Sequence, residues 1–368
     1  MRIGCLQFAP QVGDIDNNLN RADAVLNKSP DLEDLDLLVL PELAFTGYNF
    51  HSLAQITPFL EPSGSGISSL WARTTALKLN CNVVVGYPEK VDVANKWPTS
   101  PEFYNSAIMV NRDGETIANY RKSFLYAIDE TWALEGRDGF YEDEIPDLGT
   151  VAMGICMDIN PYKFEAPWHA FEFAFHVLEI QANLVILTMA WVTREHPRSF
   201  TQLPQEPDLE TLKYWIQRLE PIIRSENEEE IIIVIANRTG VEDDCVFTGS
   251  STVLGVKKGE VNLYGLLGRG VKEVLVVDTS RKPFAKVVKD DTGEEVEAGG
   301  AYKQPPLAQA TGQSTKSMPS TPTSSASGSS PSKGTLNGEH RPRRDHTPEA
   351  IPATAKPHTK SPTLTSPR

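Results

Sequence analysis

Short, almost uninterrupted apolar runs alternate with helical patterns along most of the chain, and this alternation limits the folds open to it more than any other feature. Leu37-Leu38-Val39-Leu40 and Leu184-Val185-Ile186-Leu187 carry no polar residue on either strand face. Strands of that kind need cover on both sides, so they belong in sheets backed by helices. The spacing predicts strands over 2–8, 36–40, 82–87, 105–111, 116–121, 150–155, 183–189, 231–236, 250–255 and 272–278. Helices are expected over 16–28, 66–80, 168–182 and 208–224, with Asp16 and Asp208 as N-caps of the first and last. Residues 89–103 and 194–209 read as loops able to wall a pocket.

The pattern stops near Ala301. Beyond it Ser, Thr, Pro, Gly and Lys dominate, and stretches such as Ser320 to Asn337 bury too little apolar surface to offset the entropy of ordering them. Two regions are therefore expected: a folded domain over 1–300 and a disordered basic tail over 301–368. With nine basic side chains against three acidic ones, the tail leaves residues 1–300 at a net −20 within a chain whose total is −14. So acidic a domain disfavours nucleic acid as its partner and favours cationic ligands. The four cysteines, at 5, 81, 156 and 245, form no CxxC pair, and no histidines stand at ligand spacing. Neither a disulfide framework, a metal nor another cofactor is expected. No apolar run reaches membrane-spanning length and no leader pattern opens the chain, which predicts a soluble protein of a reducing compartment with a cytosolic or nuclear address.

Three polar residues stand where predicted strands end. Cys156 follows Val151-Ala-Met-Gly-Ile155, Glu42 follows Leu38-Val-Leu-Pro41, and Lys122 follows Tyr120-Arg121. Singly each has a plain reading, as a small core residue, a solvated carboxylate and a surface lysine. Jointly they are the parts of an amide-cleaving site. A thiol is mostly protonated at neutral pH and needs a base, which Glu42 supplies. The oxyanion of the tetrahedral intermediate needs donors, which Lys122 and the Met157 backbone N–H supply.

Glu42 in a Pro-Glu-Leu context, Lys122 after a Tyr-Arg strand end, and Cys156 after Gly-Ile together resemble the Glu-Lys-Cys triad of the nitrilase, or carbon–nitrogen hydrolase, superfamily. Phe45-Thr-Gly-Tyr48, Asp113-Gly-Glu115, Ala236-Asn-Arg-Thr-Gly240 and Phe247-Thr-Gly-Ser-Ser251 extend the likeness over roughly residues 1–280. The resemblance implies a four-layer α-β-β-α sandwich and a monomer or homodimer. It also implies a supporting role for Glu130, orienting the lysine or the substrate.

A narrower likeness surrounds the cysteine. Cys156 to Trp168 and Tyr126 to Gly136 are similar to the fungal protein N-terminal amidases, which convert N-terminal Asn and Gln to Asp and Glu and feed protein degradation. Substrates of that kind, proteins or peptides beginning with Asn or Gln, carry an α-ammonium beside the reacting amide, so their site needs an anion outside the chemistry. Asp158 is the expected anion and Glu165 a second candidate. Tyr162, Phe164 and Trp168 either line the side-chain slot or pack a helix onto the sheet, and Trp132 and Trp191 carry the same two readings. A small-molecule amidase, nitrilase or carbamoylase, and a non-catalytic module that binds N-termini, are the alternatives.

Overall fold

A computed structural model describes residues 1–92 and 100–287 of the protein. The first sheet runs, edge to edge, through Glu273–Asp278, Arg2–Gln7, Leu37–Val39, Asn82–Val91, Glu102–Val110 and Thr116–Arg121, with the short Glu61–Pro62 beside Asn82–Val91. The second runs through Ala285–Val287, Glu260–Leu266, Thr252–Lys257, Ile231–Asn237, Leu184–Met189, Gly149–Ile155 and Tyr141–Ile145. Along each of these paths three neighbouring strands are parallel and the flanking pairs antiparallel, and Glu61–Pro62 adds a further parallel pairing to the first sheet.

The apolar runs divide their side chains between two cores, as the period of two along a strand requires. Leu37, Val39, Val84 and Met109 enter the core shared with Ile155, Ile186 and Val234 of the second sheet. The alternate residues Leu38, Leu40, Val83 and Val85 meet Ala22, Val25, Trp71 and Ala76 of helices Ile15–Lys28 and Ile67–Leu79. On the far side Phe173, Val177, Leu212, Trp215 and Ile222 carry helices Glu172–Glu179, Leu209–Arg218 and Glu220–Arg224 onto the second sheet. Helix, sheet, sheet and helix are the four layers that were expected.

Several boundaries differ from the sequence reading. The helix expected over 168–182 is a 3₁₀ turn, Trp168–Ala170, then an α-helix that begins only after Phe171, whose φ of +44° lies in the left-handed region and stops the ladder. The helix expected over 208–224 is two, since Pro221 has no N–H to continue the first. Asp208 caps as expected, accepting from the Thr211 N–H and hydroxyl. Asp16 does not: the helix starts at Ile15, which puts Asp16 in its first turn. Strands Tyr141–Ile145, Glu260–Leu266 and Ala285–Val287 and the hairpin Thr239–Glu242/Cys245–Thr248 were not expected. Tyr141–Ile145 escapes the periodicity because it is a charged edge strand, with Glu142, Asp143 and Glu144 all exposed. No helix among the described residues is long and apolar enough to cross a membrane. The middle of the 89–103 loop, the end of the expected domain from 288 and the expected tail lie outside the described residues.

Candidate active site

Glu42 reaches the interior because its segment lies directly on the neighbouring strand. Leu40 N–H donates to Val84 O (2.8 Å), and Ala44 N–H to Gly86 O (2.9 Å). That approach requires glycine at 86, where a Cβ would stand 2.7 Å from Glu42 Cα. Lys122 is held just past its own strand, its N–H on Asn105 O and its carbonyl accepting from Gly136 N–H, both at 2.8 Å. Cys156 follows the second sheet's Gly149–Ile155 strand at φ +42° and opens a 3₁₀ turn, Cys156–Ile159. A left-handed non-glycine residue stores of order 1 kcal/mol of strain, and such residues cluster at functional sites.

The polar groups form one buried network. Lys122 Nζ donates to Glu42 Oε1 and Asp129 Oδ2, both at 2.6 Å. Asn105 Nδ2 bridges the same carboxylates, at 2.7 Å to Glu42 Oε1 and 3.0 Å to Asp129 Oδ1. All four side chains are fully buried. Glu42 Oε2 is buried with no hydrogen-bond partner among the described residues. Two donors thus fix one carboxylate oxygen, and the lone pairs of the other face no donor among the described residues.

The charges tune one another. Burial raises the Glu42 carboxyl above its ordinary range and Asp129 adds to this, while Lys122 and the Asn105 bond pull it back. Burial on its own disfavours the Lys122 ammonium, but Asp129 and Glu42 outweigh it and the lysine stays charged well above its usual range. Burial, then the Glu42 charge, push the Cys156 thiol up, against Lys122 and the Ala190 backbone amide. Burial thus raises both the thiol and the carboxyl while the Lys122 charge opposes it at each, and groups shifted in this way are suited to exchanging one proton.

Cys156 lies in a small pocket whose wall includes Tyr48, Tyr126, Met157, Asn160, Phe164 and Trp191. Met157 and Trp191 are among the lining residues. Tyr162 and Trp132 are not among its lining residues. Tyr162 is exposed, with its hydroxyl on Glu135 Oε1 (2.9 Å) and its ring 5.0 Å from that of Phe124. Trp132 packs with Phe50, Leu125 and Ile128 in a satellite cluster. Glu165 is exposed.

Two carboxylates are corrected. Glu130 does not orient the lysine: it is exposed, and its neighbour Asp129 points inward to Lys122. Asp158 does not face the pocket as a free anion. It is fully buried, with Oδ2 accepting from Ile155 N–H (2.7 Å) and Tyr120 O–H (2.7 Å) and Oδ1 from Phe124 N–H (2.8 Å). Asn105, Asp129, Tyr48 and Asn160 were missed. A buried-strand asparagine in Tyr104-Asn105-Ser106-Ala107 was the available signal for the first, since an amide inside an apolar sheet must be satisfied by something polar.

Residues 2–160 match the carbon–nitrogen hydrolase family. The protein N-terminal amidase of Schizosaccharomyces pombe is 34% identical over 290 residues, covering 75% of this chain and 98% of the relative. A crystal structure of N-terminal amidase with an Asn-Glu-Ala peptide superposes with a TM-score of 0.66 at 23% identity, over 78% of this chain and 99% of the other. One with a Gln-Gly peptide gives 0.66 at 22%, over 75% and 96%. At that identity the two structures speak for the fold. The extended likeness to the fission-yeast protein, together with the family match, leads to one conclusion: the chain belongs to the carbon–nitrogen hydrolase family of amide-hydrolysing enzymes.

Proposed function

We propose that the protein is an N-terminal amidase, which hydrolyses the side-chain amide of N-terminal Asn or Gln of proteins and peptides to the carboxylate and releases ammonia. The observation that carries this is a thiol in an aromatic pocket, near enough to Glu42 and Lys122 for both charges to act on it, with that ammonium held by two carboxylates. The likeness to the fission-yeast protein supports the choice of substrate.

Glu42 Oε2 takes the Cys156 proton as sulfur attacks the amide carbon. Lys122 and the Met157 N–H, near the start of a 3₁₀ turn where amides lack intrahelical partners, stabilise the oxyanion. The C–N bond then breaks as Glu42 returns the proton to nitrogen, and ammonia leaves a thioester. A water activated by the same carboxylate adds to the thioester carbon, the C–S bond breaks, and the product acid and the thiol are released. Each step moves a single proton through Glu42. Asp129 and Asn105 hold the lysine and the carboxylate in place. The acidic products are of the kind that feed protein degradation through N-terminal signals.

Among the described residues that line the pocket, the aromatic faces, such as Trp191 and Tyr126, suit an α-ammonium. That lining also suits a small neutral amide, the second reading. Ammonia release and product mass from peptides beginning with Asn, Gln and Nα-acetyl-Asn, and from free asparagine, separate the two. The proposal expects turnover of the free-amine peptides alone and none with Cys156→Ala. Equal turnover of the acetylated peptide would overturn the substrate assignment.

A further inference from the structure

The proposed nucleophile and the lysine are carried by different sheets, and no backbone ladder joins those sheets. Their spacing must be set by side chains. Asp158 makes three bonds at this seam, and each lands within two residues of Cys156 or Lys122. Ile155 N–H, from the residue before the nucleophile, donates to Oδ2 at 2.7 Å. Tyr120 O–H, two residues before the lysine, donates to the same oxygen at 2.7 Å, and Phe124 N–H, two residues after it, donates to Oδ1 at 2.8 Å. The carboxylate thus grips the lysine segment on both sides and reaches back to the nucleophile's own turn.

We propose that Asp158, with Tyr120, is a positioning pair that sets the distance between the Cys156 sulfur and the Lys122 ammonium by stapling the nucleophile turn to the lysine strand. It rests on the reading of Cys156 and Lys122 as working partners, not on which amide is cleaved.

Three features support it. The carboxylate is fully buried, so its bonds are not exchanged for water. It is kept there although burial, opposed by those three bonds and by Lys122, moves its carboxyl up to about 6. A group held at such a cost without touching the pocket is doing something the apolar core alone does not supply. Tyr120 is itself fixed: its oxygen accepts Ser123 N–H at 3.2 Å and lies 3.1 Å from Ser123 Oγ, so the staple cannot swing away. The backbone at the nucleophile, at φ +42°, is one that a non-glycine residue does not hold unaided.

The test uses the full chain as wild type, Tyr120→Phe and Asp158→Asn. Two readouts are taken: kcat and KM on an Asn-starting peptide, and the rate at which iodoacetamide alkylates Cys156, located by mass. The phenylalanine variant removes one of three bonds and keeps the ring packing. It is expected to lower kcat about tenfold with KM unchanged, and to slow alkylation by a similar factor, as the sulfur loses its cation. Asp158→Asn, which turns an N–H toward one of the three donors, is expected to cost about a hundredfold on both. A merely structural role would lower the melting temperature and leave kcat and alkylation of the folded protein within twofold of wild type, and that result overturns the proposal. Should Asp158→Asn fail to fold, Tyr120→Phe decides alone. Should no peptide be turned over by wild type, the substrate assignment fails while alkylation still decides this question.

Discussion

Replacing Asp129 by asparagine tests the corrected partner of Lys122 most directly. The carboxylate accepts from Lys122 Nζ at 2.6 Å, Asn105 Nδ2 at 3.0 Å and Tyr126 N–H at 3.0 Å, all in the interior. An asparagine keeps one acceptor oxygen, so at least one donor is left facing an N–H. Breaking a buried ion pair costs about 3–5 kcal/mol. Glu42 still holds the lysine, which places the expected loss near the lower end, about 3 kcal/mol. For a domain of this size that is a fall of roughly 5 °C in melting temperature. A kinetic effect should accompany it. The Asp129 charge helps to raise the Glu42 carboxyl, so its removal leaves Glu42 a weaker base, and kcat should fall about tenfold or more. Glu130→Gln is the control: an exposed neighbour should move stability by no more than about 0.5 kcal/mol. Thermal unfolding followed by circular dichroism, with ammonia release on the same samples, gives both numbers. If the two variants lose equal stability and activity, Asp129 is not the lysine's partner and the network has been misread.

Gly86→Ala would drive a methyl to 2.7 Å from Glu42 Cα and Leu43 N. It should cost about 1–3 kcal/mol and lower kcat more than it raises KM, as urea unfolding and steady-state kinetics would show. Glu242→Gln weakens the buried pair with Arg238 and the grip of Glu242 on the Tyr48 and Asn49 amides, at 2.9 and 3.0 Å. Since Tyr48 walls the pocket, a rise in KM should accompany a loss of about 3 kcal/mol; unchanged KM would separate this clamp from the site. Asp158 is raised from 3.8 to about 6 in the folded state. Between those values the native protein holds a proton that the unfolded chain has lost, so this group's contribution is full below about pH 4 and lost as pH rises through 6, by roughly 3 kcal/mol. The melting temperature of Asp158→Asn relative to wild type should therefore rise from pH 4 to pH 7, and a flat difference would refute the shift.

What could be read from the sequence follows from what each residue's neighbours are. The apolar runs declared their strands because burial on both faces leaves a local mark. Glu42 and Cys156 could be singled out because each interrupts such a run at its end, and Lys122 because it stands between the Tyr120-Arg121 strand end and the apolar Phe124-Leu125. Asp129 and Glu130 could not be told apart, since adjacent carboxylates in a loop differ only in direction, and direction depends on a lysine seven residues away. Asp158 could be picked out as a candidate anion, but its partners could not. Its position two residues past the nucleophile suits a substrate anion as well as a staple, and only Tyr120 and Phe124, brought in from the other sheet, decide between them. The strand Tyr141–Ile145 was hidden because an edge that must repel other edges is written in charge. The break at Phe171 has no proline or glycine to announce it.

The first sheet gains one of its edge strands through the pairing of Arg2 with Asp278 and of Gln7 with Glu273, so one side of its opening strand waits for a partner synthesised about 270 residues later. Contacts of such sequence separation are slow to form. A growing chain can assemble the Glu42 and Lys122 segments and later the Cys156 turn, yet the frame that holds them in register is incomplete until residue 278 has been made. The first sheet thus reaches its full width only after residue 278 has left the ribosome.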